Sequence, residues 1–316
     1  MATMNLLDIA ALNGRDMVAG LIEEVMTAAP EVMALPARTI KGVSYKTTRR
    51  TSLPSVGFHA AGASLTASKS AFADYLTTCA YLGGLVQLPK SIAQASEDGT
   101  DMLKAIEAEG VMEQALKDVG KQLFYGPSNT TYGSDADGFP GLLDGYDSTN
   151  MVVDAGGTTA TTGSSVWIVG TGVKSNQLVV GMEGEMELSE WRVETVSGVP
   201  SHVADLTAYV GLQMANPNNT IVRVKKLTED SGKGLTDALL AKALALFPIG
   251  VQPTHIFMSR RSRRQLQTAR TVTLFGNGTR GSVGTATGLV APTPTEFEGV
   301  PIIATDSLSN VEALTL

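Results

Sequence analysis

The chain has 316 residues, of which 43% are hydrophobic, enough to bury a sizeable core in roughly one to three domains. Its formal net charge of −7 argues against a protein that holds nucleic acid by electrostatic attraction. The single cysteine, Cys79, excludes an internal disulfide, and no stretch is apolar over the roughly 18 residues that a membrane span requires.

The first predicted element is an amphipathic helix near the N-terminus. Apolar pairs recur at helical spacing between residues 5 and 29, for example Met17 with Leu21 and Ile22 with Met26. The helix is predicted to end at Ala29 and to be followed by an extended connection over residues 30–39, which contain two prolines. A helix followed by an extended strap predicts an N-terminal arm.

A basic segment comes next. From Val32 to Ala73 the sequence contains no acidic residue. Its basic residues are Arg38, Lys41, Lys46, Arg49, Arg50 and Lys69. Residues 42–58 are rich in β-branched and aromatic side chains and are interrupted by glycine and proline, which predicts a long two-stranded ribbon with little core of its own. Because an isolated hairpin is only marginally stable, the ribbon is expected to lie on another surface.

Residues 96–124 give the clearest helical signal. Ser96 is a candidate N-cap, and about 1.5 Å per residue gives a helix on the order of 40 Å long. The predicted buried stripe consists of Met112, Leu116, Val119 and Leu123. The acidic residues are Glu97, Asp98, Asp101, Glu107, Glu109, Glu113 and Asp118, against three lysines. The helix is therefore acidic where the ribbon is basic.

The rest of the chain predicts a mixed α/β region after a turn-rich connector. Strands are predicted at residues 165–170 and 176–182, and two more on either side of a turn at residues 216–219. A helix from Leu235 to Phe247, a strand at residues 254–259 and a helix from Arg260 to about Arg270 follow. The last predicted strand lies within residues 296–308, after a loop rich in glycine and threonine.

A dense basic cluster opens the helix at residue 260. It consists of Arg260, Arg261, Arg263 and Arg264. We interpret these arginines as contacts between neighbouring copies or as a solvated face, with phosphate binding at the helix N-terminus as the alternative.

Catalytic and metal sites are not predicted. Asp135 and Asp137 resemble half of a calcium loop, but the third ligand position is Phe139. The three histidines lie far apart without ligand spacing, and no combination of serine, histidine and acid can be nominated. We therefore expect no cofactor, no metal and no enzyme activity.

Several segments, in order along the chain, resemble the major capsid proteins of tailed bacteriophages. The matching segments are LLDIAALNG, LIEEVMTAAPEVMALPART, GVSYKTTRRTSLPSVGF, QLFYG, GFPGLLDGY, SVWIVG, VGLQMANPNNTIVRVKKL, HIFMSRRSRRQL and FEGVPIIATDSL. Together they cover nearly the whole chain.

The resemblance implies an α+β fold of the Hong Kong 97-like type. It implies an N-terminal arm (1–36), an extended E-loop hairpin (37–66), a P-domain (67–147) with a spine helix at 97–124, a mixed α/β A-domain (148–296) and a C-terminal P-domain strand (297–316). The strands near residues 203–226 are alternatively part of the P-domain. The last strand is expected to return to the spine helix.

The resemblance also implies a function. The chain is expected to assemble with itself into hexamers and pentamers that form the icosahedral head around double-stranded DNA, which it contacts without sequence specificity. Expected partners are a portal, cement or decoration proteins and a separate scaffolding protein, if any. Assembly is expected in the host bacterial cytoplasm, since the N-terminus lacks the features of a signal peptide.

The resemblance places the basic E-loop on the acidic spine helix of a neighbouring copy. The expected residues of this contact are Arg38, Lys41, Lys46, Arg49, Arg50, Glu107 and Glu113. Further candidates for contacts between copies, in this case between neighbouring A-domains, are Arg260, Arg261, Arg263 and Arg264. Two alternatives stay open. An encapsulin-type shell of a cellular compartment would enclose a cargo protein instead of DNA, and an unrelated α/β enzyme would need a cluster of convergent polar groups.

Overall fold

The computed structural model describes residues 29–97, 99–145, 151–184, 186–270, 272–275, 286–289 and 291–315. The predicted N-terminal helix lies outside these residues, apart from its last position. Within the described residues the strands form two six-stranded sheets, a two-stranded ribbon and one further strand pair.

The helices are α1 (Pro30–Ala34), α2 (Lys90–Ala93), α3 (Thr100–Tyr125), α4 (Leu142–Gly145), α5 (Pro217–Thr220), α6 (Asp237–Leu244) and α7 (Arg260–Arg270). The first strands are β1 (Ala37–Thr39), β2 (Ser44–Ser52), β3 (Ala71–Thr78), β4 (Ala80–Pro89), β5 (Val152–Asp154), β6 (Ser164–Val169), β7 (Asn176–Val180) and β8 (Glu187–Leu188). They are followed by β9 (Arg192–Val196), β10 (Val199–Met214), β11 (Ile221–Leu227), β12 (His255–Met258), β13 (Val272–Phe275), β14 (Ala286–Leu289), β15 (Glu296–Phe297) and β16 (Val300–Ala304).

Sheet I is built around the long strand β10. This strand pairs antiparallel with β4, β7, β8 and β9, and β1 pairs parallel with β7. Helix α3 packs against β4 and β10, so the long helix and the long strand support each other.

Sheet II has the strand order β15-β16-β12-β6-β11-β5. Its central strand β6 is buried at every position, because α6 and α7 contribute to the core on one face and the end of α3 covers the other. On the α3 face Phe124 meets Phe257 edge-on, with ring centroids 5.8 Å apart. Burial on both faces explains why this segment is a continuous apolar run instead of an alternating one.

The chain crosses between the two sheets at two neighbouring points. Strand β6 lies in sheet II and β7 in sheet I, while β10 lies in sheet I and β11 in sheet II. The buried Asn176 side chain joins the two crossings: its Nδ2 donates to the Gly170 carbonyl at 2.8 Å and to Thr220 Oγ1 at 3.0 Å. The four strands predicted here, β6, β7, β10 and β11, are confirmed. Strands that follow each other along the chain lie in different sheets: β6 and β7 are separated, and so are β10 and β11.

Helix α3 begins later than predicted. It starts at Thr100 after Gly99, whose φ of 87° lies in the left-handed region, so Ser96 is not the N-cap. Of the predicted stripe, Val119 and Leu123 are buried but Leu116 is exposed. Burial is concentrated in the C-terminal half of the helix because only that half is covered by both sheets.

Two glycines of α3 provide a matched stability test. At Gly120 a Cβ would press on the buried Glu31 carboxylate and would lie 2.6 Å from Ser307 Oγ, whereas at Gly110 a Cβ would meet nothing within 4 Å. Alanine raises helix propensity by about 1 kcal/mol at either position. We expect Gly110→Ala to stabilise the subunit and Gly120→Ala to destabilise it by roughly 1–3 kcal/mol, measured by urea unfolding. Equal effects would show that the Glu31 contact yields easily.

The segment before the ribbon differs from the prediction. Residues 30–34 form the short helix α1 and not an extended connection, because a proline at the first helical position sacrifices no hydrogen bond. The extended part is confined to Leu35–Pro36 and strand β1.

The ribbon exists, but with different strand limits. Residues 42–58 contain its first strand, β2, and the second strand is β3, on the far side of an 18-residue loop spanning 53–70. The expectation that residues 42–58 hold both strands is wrong, since proline and glycine in the loop delay the return of the chain.

The C-terminal strand also differs from the prediction. Strand β16 forms a short hairpin with β15 and pairs parallel with β12, so it belongs to sheet II. The residues after it are the ones that reach α3: the Ser309 amide donates to Tyr125 Oη at 2.7 Å. Among the described helices, none is long and apolar enough to cross a lipid bilayer.

Candidate functional site

The ribbon is formed by β2, β3 and the loop between them, residues 44–78, and it carries several of the predicted contact residues. Lys46 pairs with Asp74 on the opposite strand at 2.5 Å, and both side chains are largely exposed. Arg50 lies over the Phe72 ring, and Arg38 over the Tyr45 ring at 5.0 Å from its centroid. An exposed pair such as Lys46 with Asp74 contributes only about 0–1 kcal/mol, so it orders the ribbon weakly.

Arg49 has a different role from its neighbour Arg50. Its guanidinium donates to the Met214 carbonyl at the end of β10, and it lies 3.7 Å from the centroid of the Tyr75 ring. Beside it, the Tyr45 hydroxyl donates to the Gln213 side chain. The base of the ribbon is therefore fastened to sheet I of its own chain, and Arg49 is occupied within the subunit.

Arg49→Ala is expected to loosen the ribbon. Losing a hydrogen bond from a charged donor removes roughly 1.5–3 kcal/mol. If cleavage follows the population of the open form, chymotrypsin should cut after Tyr45 and Tyr75, at the base of the ribbon, roughly tenfold faster or more. Arg50→Ala is the matched control, because Arg50 is exposed and next in sequence, and it should leave the rate nearly unchanged. Equal cleavage rates in both variants would contradict the role of Arg49 as a fastening.

The loop at the tip of the ribbon presents apolar side chains to solvent. Leu53, Val56, Phe58 and Leu65 are each at least 72% exposed. A patch of large exposed hydrophobic residues on a projecting loop is typical of an interaction site. It is surrounded by a sequence without a single acid from residue 32 to residue 73.

The surface of α3 provides the opposite charge. Glu113 is exposed and Glu107 is half-buried, and Asp101 and Glu109 are exposed on the same helix. Asp101 accepts a hydrogen bond from Lys104 at 3.3 Å. The structure gives Lys46 and Arg49 partners in the ribbon and in sheet I, and not on α3 of the same chain.

The arginines of α7 are not equivalent. Arg260 pairs with Asp306 at 3.2 Å, and Arg261 donates to the carbonyls of Asn310 and Thr162 at 2.9 and 2.5 Å. Burial lowers the pKa of Arg261, although Glu229 and Glu312 oppose that effect. Arg261 thus ties α7 to the C-terminal tail.

Arg263 and Arg264 face a small cavity of about 170 Å³ with Arg260. These three arginines, not Arg261, are therefore the ones available to a ligand or a second copy.

The structure contains a buried charged network that the sequence does not predict. Arg223 and Glu312 form an ion pair at 3.1 Å, with each side chain only 3% exposed. Arg223 Nε donates to Ser165 Oγ at 2.9 Å, and the Tyr125 hydroxyl donates to Glu312 Oε1 at 2.7 Å. The network joins β6, β11, α3 and the C-terminal tail. Arg223 interrupts the apolar run of β11, which is a local signal for a buried charge, but nothing local identifies Glu312.

The same network predicts that the folded subunit loses stability at alkaline pH. Burial raises the pKa of Tyr125 well above its usual value, and the Glu312 charge raises it further. A raised folded-state pKa gives stability that is complete below pH ~10 and is lost as the pH rises beyond it. We expect the free energy of unfolding to fall above that pH, with a shallower fall for Tyr125→Phe, measured by urea titrations. Identical slopes would show that Tyr125 ionises in the folded protein.

In the described part of the chain, no group of three or more histidine, cysteine, aspartate or glutamate side chains has a geometry suited to a metal ion. Asp135 and Asp137 line a groove of about 440 Å³ between α3 and sheet I. Burial lowers the pKa of His202 and His255, and two lysines near His202 add to the effect there.

Comparison with known structures agrees with this architecture. A chain from the structure of bacteriophage Epsilon15 superposes with a TM-score of 0.72 at 17% identity, covering 99% of this chain and 98% of that one. The capsid of bacteriophage JBD30 gives 0.51 at 12% identity, covering 97% and 99%. The SrpI encapsulin complex of Synechococcus elongatus gives 0.48 at 9% identity, covering 71% and 95%. The predicted Hong Kong 97-like fold is confirmed.

The sequence itself shows the family to which the chain belongs. Among proteins with curated descriptions, none matches this chain. The family model described as major capsid protein GP7 matches residues 17–191. Because that match spans more than half of the 316 residues, the chain belongs to the major capsid protein GP7 family.

Proposed function

We propose that copies of this chain assemble into hexamers and pentamers that close an icosahedral head around the double-stranded DNA of a tailed phage. The observation that carries this proposal is the ribbon, whose tip leaves large apolar side chains uncovered by any described part of its own subunit. When a second copy covers such a tip, its apolar side chains are removed from water, which favours association. A portal and cement or decoration proteins, with a separate scaffolding protein if one is used, would complete the particle in the host bacterial cytoplasm.

In the proposed interface the ribbon lies across α3 of a neighbouring copy. The basic residues Arg38, Lys41 and Arg50 are exposed and face outward from the subunit, as does Glu113 on α3. The division of charge between a basic ribbon, whose one acid is Asp74, and an acidic helix favours contact between copies, because like surfaces repel and unlike surfaces attract.

The ion pairs and the apolar contacts of the proposed interface differ in strength. Each exposed ion pair adds about 0–1 kcal/mol, while burying one large apolar side chain adds about 1.5–3 kcal/mol. The apolar tip would therefore supply most of the association free energy. The charges would set the register of the ribbon and disfavour wrong partners. This division would keep each contact weak enough for errors to be corrected during assembly.

The α7 arginines contribute less than the sequence suggests. Arg261 donates to two carbonyls of its own chain, so Arg263 and Arg264 are available for contacts between copies, and Arg260 is available when its exposed ion pair with Asp306 opens. Lys46 is already paired with Asp74, which reduces its contribution to the ribbon interface.

Negative-stain microscopy of the purified chain tests the proposal, together with light scattering and nucleic-acid content. We expect rings of five or six subunits or closed shells. The matched variant Phe58→Ser with Val56→Ser should remain folded and stay small, because it removes apolar surface only at the tip. A stable monomer at high concentration with unchanged scattering would contradict the proposal. Shells filled with one protein cargo instead of DNA would favour an encapsulin-type compartment.

A further inference from the structure

Helix α7 has an unusual charge balance. Its eleven residues include five arginines and no acid. Two of the arginines are satisfied within the chain: Arg261 by carbonyls, and Arg270 by Asp237, which accepts from Arg270 Nε at 2.9 Å. The other three, Arg260, Arg263 and Arg264, lie on one face of the helix.

These three side chains line the cavity of about 170 Å³, together with Gln267 and Thr293. Gln267 lies one further turn along the same face, and its Nε2 donates to the Ala291 carbonyl at 2.7 Å. That bond holds the segment containing Thr293 against the helix. The cavity is therefore lined by three arginines, a glutamine and a threonine, and its lining is mostly polar.

The described residues supply little counter-charge to this cavity. Within the described residues, Arg260 is paired with the half-exposed Asp306, and no carboxylate is paired with Arg263 or Arg264. The sequence that follows the helix, residues 271–295, contains no aspartate or glutamate at all. Three adjacent cations with one carboxylate leave an excess of positive charge in a small polar space.

We propose that this cavity binds a phosphate group. Guanidinium groups present paired N–H donors that match the oxygens of a phosphate, and they stay charged at every accessible pH. Thr293 adds a hydroxyl donor at the cavity wall, and Gln267 acts as a positioning residue through Ala291. The source is either free inorganic phosphate or the backbone of a nucleic acid. The site is independent of the proposed ribbon interface.

The test measures the melting temperature of the full chain in inorganic phosphate and in chloride at equal ionic strength. A ligand that binds only the folded state raises the melting temperature, and the rise continues with the logarithm of the ligand concentration once that concentration exceeds the dissociation constant. We expect this rise in the wild type, its loss in the double variant Arg263→Gln with Arg264→Gln, and its retention in Arg50→Gln. Circular dichroism of the double variant establishes that it is folded. Broadening of the phosphate resonance in phosphorus NMR provides a second measurement that needs no variant.

The outcomes distinguish the sources. A rise with phosphate but not with a short DNA duplex identifies free phosphate as the ligand, and a rise with both, lost together in the double variant, identifies the nucleic-acid backbone as well. No rise and no broadening in the wild type would overturn the proposal. A rise that persists in the double variant would also overturn it. If phosphate has no effect but the double variant fails to assemble, the arginines bind a neighbouring copy and the phosphate site is rejected.

Discussion

Glu312→Ala is expected to lower the free energy of unfolding by about 3–5 kcal/mol, because it leaves the buried Arg223 without its carboxylate. The variant also removes the acceptor for the Tyr125 hydroxyl. Glu312→Gln keeps an oxygen at that position but removes the charge, so it should be nearly as damaging. Urea unfolding of unassembled subunits measures the effect. The exposed Glu194, which accepts from Arg192 at 3.3 Å, is the matched control, and Glu194→Ala should change stability by less than about 1 kcal/mol.

A double variant separates the ion pair from its surroundings. Replacing Arg223 by methionine and Glu312 by leucine removes both charges together, and it should cost less than the two single changes added. The difference between the double variant and the sum of the two single variants measures the penalty of leaving one buried charge unpaired. Additive losses would show that the two residues act separately, and a loss below about 1 kcal/mol for Glu312→Ala would show that water enters the site.

Reversing charge on the ribbon is expected to abolish shell assembly without destabilising the subunit. Arg50→Glu with Lys69→Glu places acids on exposed ribbon positions that make no ion pair in the described chain. In the proposed interface they would face the acids of a neighbour's α3. A penalty of about 1 kcal/mol per contact is repeated in every subunit, so a cooperative assembly responds strongly. Arg49 is left unchanged because it fastens the ribbon to its own sheet.

The compensating change identifies the contact. Glu109→Lys with Glu113→Lys reverses two exposed acids one turn apart on α3. Combined with the ribbon variant, it should restore part of the shell yield, seen by light scattering and microscopy, while melting temperatures of the subunits stay within a few degrees. If the ribbon variant assembles normally, the basic ribbon is only a solvated face. If the combination is no better than either parent, the ribbon rests elsewhere on the neighbour.

Local patterns in the sequence predict most elements but not their partners. Strand β6 and helix α7 lie where the apolar run and the arginine-rich segment place them. The partner of β2 is missed because β3 lies beyond a long loop, and only contacts distant in sequence select it. The sheet assignment of β16 is missed for the same reason, since its pairing with β12 depends on how the chain crosses between sheets.

The candidate site shows the same limit. The order of charged residues along the sequence identifies the basic ribbon and the acidic helix. The different roles of Arg49 and Arg50 are not visible there. Adjacent residues on a strand point to opposite sides, so one meets the Met214 carbonyl and the other faces outward. The prediction of Ser96 as the N-cap is wrong because Gly99, with its positive φ, turns the chain just before the helix begins at Thr100.

The paired crossings beside Asn176 have a mechanical consequence. Any force that pulls the two sheets apart must stretch both crossings at once and break the two hydrogen bonds of a single buried amide. Shear between the sheets is resisted in the same way. The body of the subunit should then behave as a stiff plate under outward pressure. Changes of curvature in an assembled shell would then occur by tilting of neighbouring subunits against each other and by bending of the ribbon.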